Sequence, residues 1–101
     1  MFTPAYTRQF ERDLKRRRRG GHDLTLLKAV LTKLVARERL APKFKDHNLI
    51  GAWQGRRECH IRPDWLLIDK IDREQNLIIF ERTGSHADLF GSIPAQPPPA
   101  V

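Results

Sequence analysis

The stretch RRECHIRPDWLLIDKIDREQNLIIFERT, Arg56 to Thr83, decides the fold. Three β-type runs lie in it: Arg56 to Arg62, the strongly apolar Trp65 to Ile71, and Leu77 to Thr83. Pro63-Asp64 breaks the first from the second, and Asp72-Arg73-Glu74-Gln75-Asn76 breaks the second from the third. Each is a turn by composition, because proline fixes φ and removes a donor while Asp and Asn bond their own backbone. Connections this short join antiparallel neighbours, so a β-meander is expected. Side chains alternate faces along a strand. In the first run Cys59 and Ile61 therefore face a core, while Glu58, His60 and Arg62 face the other way. The third run is apolar on both parities, and periodicity alone does not assign Arg82 to a face.

On the N-terminal side the period changes. Tyr6, Phe10 and Leu14 recur at i, i+4 and i+8, so residues 4–19 read as a basic helix, with Thr7 a candidate cap and Gly20-Gly21 ending it. Leu24, Leu27, Val30, Leu31, Leu34 and Val35 give a second, wider apolar face behind Asp23 as a cap candidate. Pro42 stops that helix, and Lys43 to Ile50 reads as loop or a short extended piece. The fold class is α+β: a helical hairpin packed on a small antiparallel sheet, as one domain over residues 1–91. Pro94, Pro97, Pro98 and Pro99 make residues 92–101 a tail expected to be disordered or polyproline-like.

The chain has 101 residues, 40% of them hydrophobic and 31% charged, values typical of a soluble domain with one core. No apolar run approaches the ~18 residues of a membrane span, and the N-terminus lacks the pattern of a secretory signal. A single cysteine, Cys59, excludes an internal disulfide framework and fits the cytoplasm; a small buried hydrophobe is its simplest role. The formal charge of +7 is the strongest compositional signal. Such an excess attracts polyanions by counterion release, so nucleic acid or a masking acidic protein is the expected partner.

Three of the four histidines, His47, His60 and His86, fall between residues 47 and 86, as do Asp64 and Arg82. That set suits RNA cleavage, because ribose supplies the nucleophile. One group must take the 2′-hydroxyl proton, another must protonate the leaving 5′-oxygen, and positive charge must stabilise the phosphoryl oxygens. Imidazole serves both transfers, each worth roughly 10²–10⁴-fold. Arg82 suits the phosphate. Trp65 and Phe90 suit base stacking. Every member also has a plainer reading: His47 as a loop residue, His60 as structure, Asp64 as a turn former, Trp65 and Trp53 as packing, Phe90 as cover for the sheet edge. His22 reads as part of the interhelical turn. No HxxxH, CxxC or acidic cluster has metal-ligand spacing, and no glycine loop has phosphate-binding form, so no metal and no cofactor are expected.

With Lys45 to Leu49, Gly51 to Gly55, Arg57, His60, Pro63-Asp64-Trp65, Glu81 to His86 and Leu89-Phe90-Gly91 in this order, the chain resembles the YafQ-type toxins of the RelE superfamily, from about Leu24 to Gly91. The resemblance implies a ribosome-dependent mRNA endonuclease that cuts in the 70S A site without a metal. It also implies a cognate antitoxin that holds the toxin inactive, with the pair contacting operator DNA. Position by position, it implies catalytic roles for His47, His60, Asp64, Arg82 and His86, with Trp65 and Phe90 at the substrate. The roles we attach are His86 as general acid, with Asp64 or a neighbouring histidine as base. Lys45, Arg56 and Arg57 are expected on the RNA backbone. The family opens with a β-strand, whereas Phe2-Thr3-Pro4-Ala5-Tyr6 is short and interrupted by proline, so that strand is expected to be reduced or pushed to an edge.

Two other classes compete: a non-catalytic module that uses its basic surface only for RNA or antitoxin, and a corepressor that meets DNA through its antitoxin. The basic surface does not separate the three. Binding alone, however, does not require three histidines beside an aspartate and an arginine.

Overall fold

A computed structural model describes residues 1–90; the proline-rich tail, residues 92–101, lies outside the described residues. Five strands form one sheet: β1 (Thr3–Tyr6), β2 (His47–Asn48), β3 (Arg57–Arg62), β4 (Trp65–Asp72) and β5 (Leu77–Gly84), in the order β1-β5-β4-β3-β2. The helices are α1 (Arg8–Arg19), α2 (Thr25–Val35) and a short α3 (His86–Phe90). The class is α+β and the meander β3-β4-β5 is antiparallel. The sheet as a whole is mixed, because β1 runs parallel to β5.

The N-terminus departs from the helical period. Residues 3–6 are strand, and the helix starts only at Arg8. Pro4 is tolerated because β1 is an edge strand with a neighbour on one side only. Phe2 anchors the strand in the core. Thr7 caps α1, accepting a hydrogen bond from the Phe10 amide at 3.0 Å.

The sheet separates two unequal cores. On one face Phe10, Leu27, Val30 and Leu34 of the helices pack with Cys59, Ile61, Trp65, Leu67, Ile78 and Phe80. The other face holds a small cluster of Leu49, Leu66, Ile68 and Leu89, with Trp53 and Phe90 against it. The register puts His47 opposite Glu58, His60 opposite Leu66, and Glu58 opposite Ile68, so all three polar residues share the small-core face.

A β-bulge sets the face of Arg82. Asp69 pairs with Phe80 but Ile68 pairs with Arg82, which leaves Glu81 as an extra residue in β5. Phe80 belongs to the helix-side core. After the bulge Arg82 joins Ile68 on the opposite face. The spare Glu81 carbonyl accepts the Thr7 hydroxyl at 2.9 Å.

Candidate active site

The small-core face carries a row of imidazoles. His47 comes from β2, His60 from β3, and His86 from the first turn of α3. Ring centres lie 6.3 Å apart between His47 and His60, and 6.1 Å apart between His60 and His86. Phe90, one helical turn on, places its ring 6.4 Å from His86 and 5.5 Å edge-on from Trp53.

Asp64, in the turn between β3 and β4, anchors the end of the row. Its Oδ1 accepts the His86 backbone amide at 3.0 Å and meets His86 Nδ1 at 2.6 Å. These two bonds, the backbone one first, hold the Asp64 carboxyl below the usual carboxylate range, with Arg17 adding to the effect. An ionised carboxylate only accepts, so His86 carries hydrogen on Nδ1 and turns Nε2 outward. Gly84 makes the approach possible. Its φ is +155°, and a Cβ there would come within 3.0 Å of Asp88 in the same tight turn.

Glu58 was not among the expected residues. It is 1% exposed, yet its Oε1 lies 3.5 Å from His47 Nε2 and 3.4 Å from His60 Nε2. Neither Glu58 oxygen is hydrogen-bonded, and His47 Nε2 has no hydrogen-bond partner either, so two imidazoles approach one buried carboxyl without closing a hydrogen bond to it. The other nitrogen of His47, Nδ1, bonds the Lys45 carbonyl, which orients that ring. Its alternation with Cys59 was the one signal in the sequence that put Glu58 on the His60 face.

The remaining candidates are less free than their residue types suggest. Arg82 wraps the sheet edge to Asp13 of α1, with Nε 2.9 Å and a terminal nitrogen 3.4 Å from the carboxylate. Asp13 also accepts the Thr83 amide at 3.1 Å, taking the ladder position that β1 is too short to fill. Arg56 is paired with Glu81. Arg57 binds Asp46 at 2.8 Å and the Asn48 side chain at 2.8 Å. Lys45 is exposed in a left-handed conformation beside the row.

Trp65 is not a base platform in this geometry. It is 5% exposed and faces the helices, its Nε1 donates to Thr83 Oγ1 at 2.9 Å, and the Arg17 guanidinium lies 4.8 Å over its ring. Arg17 also donates to the Asp64 carbonyl at 3.3 Å and bonds His22 at 2.9 Å. His22 is therefore more than a turn residue, and Arg17 ties α1 to the Asp64 turn. The Asp64 contact has no local sequence signal, since it crosses from one layer to another.

This fold recurs in known proteins. A model of the family described as bacterial toxin of type II toxin-antitoxin system, YafQ, matches residues 2–91. The chain belongs to the YafQ family. It is 41% identical over 87 residues to the mRNA interferase toxin YafQ of Escherichia coli (strain K12), covering 85% of this chain and 92% of that YafQ. YafQ in the crystal structure of the E. coli DinJ–YafQ complex superposes with a TM-score of 0.82 at 39% identity, covering 90% of this chain and 100% of that one. A metal-bound toxin from Helicobacter pylori superposes with a TM-score of 0.84 at 42% identity, covering 89% and 100%. Among the described residues of this chain, no three or more His, Cys, Asp or Glu side chains are disposed to hold a metal ion. His47 and His60 instead both direct Nε2 at Glu58.

Proposed function

We propose that this protein is a ribosome-dependent endoribonuclease that cuts mRNA in the A site and is neutralised by a cognate antitoxin in the cytoplasm. The observation that carries the reading is the His47–His60–His86 row ended by the Asp64–His86 pair. Its relatives' description as mRNA interferase and the DinJ–YafQ complex support the activity and the partner. By the same analogy the toxin–antitoxin pair binds its own operator.

The chemistry divides as follows. His60 takes the proton of the 2′-hydroxyl, whose oxygen attacks the adjacent phosphorus. His86, oriented by Asp64, gives the proton on Nε2 to the departing 5′-oxygen. The P–O5′ bond breaks, leaving a 2′,3′-cyclic phosphate and a 5′-hydroxyl. Asp64 is the orienting group, since a carboxylate held ionised by two donors is a poor proton acceptor. Glu58 stands 3.4 Å from His60 Nε2, leaving the other ring nitrogen for the proton. Arg82, with its guanidinium kept in place by Asp13, supplies positive charge to the phosphoryl oxygens. Phe90 contacts a base. No step is routed through a metal.

The test is cleavage of a programmed mRNA on purified ribosomes. His86→Ala should cut at least ~10²-fold more slowly, the low end for loss of a proton-transfer group, while still binding the antitoxin. Cutting by the wild type should survive a transition-metal chelator used at Mg²⁺ concentrations that keep ribosomes whole. Full activity of the variant, or loss of wild-type activity on chelation, refutes the mechanism.

A further inference from the structure

β3 continues to Arg62 after β2 has ended its pairing at Glu58, so the last residues of β3 have no strand on that side. The 3-10 turn Pro42–Phe44 approaches there instead, facing Leu26 of α2. Between them lies a cleft of about 350 Å³. Leu26 and the buried Phe44 provide apolar surface, Lys43, Lys45 and Arg62 provide cations, and His60 borders the cleft at the edge of β3, next to the imidazole row. The Lys43 ammonium stands 5.3 Å from the Phe44 ring centre. No carboxylate lines the cleft among the described residues.

We propose that this cleft is the subsite for the mRNA nucleotide on the 5′ side of the cut, the one whose 2′-hydroxyl attacks. The inference rests on the nuclease reading and deepens it, by assigning the residues that read the base beside the scissile bond. The volume is at the lower end of small-molecule sites, roughly 300–1,000 Å³, as suits one nucleotide rather than a helix or strand of a partner. An apolar floor under a ring of cations matches a base flanked by phosphates. The position is determined by His60. A nucleotide seated in the cleft brings its ribose to the imidazole that takes the 2′-proton, and its 3′-phosphate toward His86. Lys45 joins the two functions, since it lines the cleft while its carbonyl bonds the His47 ring.

The experiment maps mRNA 5′-hydroxyl ends in cells expressing the wild type, Leu26→Trp, which fills the cleft, and Lys43→Ala, which is exposed and carries little folding risk. Total cutting should fall about tenfold in Leu26→Trp, the effect of roughly one lost base contact. Its remaining cuts should lose or change the base preference at the nucleotide 5′ of the scissile bond, leaving other positions unchanged. Lys43→Ala should lower cutting about threefold with the preference kept, as for one phosphate contact. Unaltered cutting and preference in both variants overturns the subsite. So does weakened antitoxin binding with unaltered cutting, which would give the cleft to the antitoxin. If the wild type makes no cuts, the nuclease reading fails, and an NMR titration with nucleoside 3′-monophosphates decides the cleft independently. Shifts of the Leu26 and Ile61 methyl signals support it, and their absence refutes it.

Discussion

Asp64 and Glu58 are both carboxylates beside histidine, yet burial gives them different tasks. The Asp64 side chain is 69% exposed and ties its histidine through an amide and Nδ1 together. Its depressed titration means the orienting carboxylate is ionised above the ordinary carboxylate range and is lost only as pH falls below it. Asp64→Asn keeps the shape but offers an amide where Nδ1–H needs an anion. We expect kcat for ribosomal cleavage to fall by about 10²-fold or more, with antitoxin affinity and Tm nearly unchanged. A loss confined to KM would instead make Asp64 a substrate contact. The three histidines and Asp64, which the fold brings into one row, were legible in the sequence as a candidate set, because proton-transfer chemistry restricts the residue types that can do it. Glu58 and Asp13 were not, since a buried carboxylate reads as surface charge until the fold shows what surrounds it.

At the scale of elements, the meander was legible because strand alternation and turn residues agree over β3, β4 and β5. Short elements have no period of their own: the four-residue edge strand β1 was expected only from the family resemblance, and the five-residue α3 was not read at all. The Glu81 bulge is likewise invisible to a period of two, and it decides which face carries Arg82. Opposite it in β4, Asp69 is buried with neither carboxylate oxygen hydrogen-bonded. Burial first, then Asp46, pushes its carboxyl up to about 7, with Arg57 opposing and Glu81 adding. The folded state thus favours the protonated acid. That contribution is complete below the unfolded value of about 3.9 and falls away as pH rises through about 7. Asp69→Asn should flatten stability between pH 4 and 7 and raise it by about 1–2 kcal/mol at pH 8. Urea melts across that range check this, and parallel curves for the two proteins would show that Asp69 does not titrate there.

Over the whole molecule, the sheet divides binding from chemistry. The imidazole row lies on the thin face, whereas α1 packs on β5 from the other side with Arg8, Arg12, Lys15, Arg18 and Arg19 exposed. Only Asp13 and Arg17 of that helix reach site residues. The outward cations of α1 therefore account for much of the +7 charge without facing the scissile bond. Charge in such a position acts on the affinity for a large polyanion and not on the proton transfers. In the proposed reading that polyanion is ribosomal RNA, and counterion release makes the contribution measurable. Arg12→Ala with Lys15→Ala should weaken ribosome association at low salt and reduce the slope of log K against log salt by about two, roughly one per lost phosphate contact. The cleavage rate at saturating toxin should not change, because both side chains lie across the sheet from His60 and His86. An unchanged slope would make these cations ordinary solvated surface, and a lower saturated rate would mean that α1 reaches the chemistry through Asp13 and Arg17 more strongly than the layering implies.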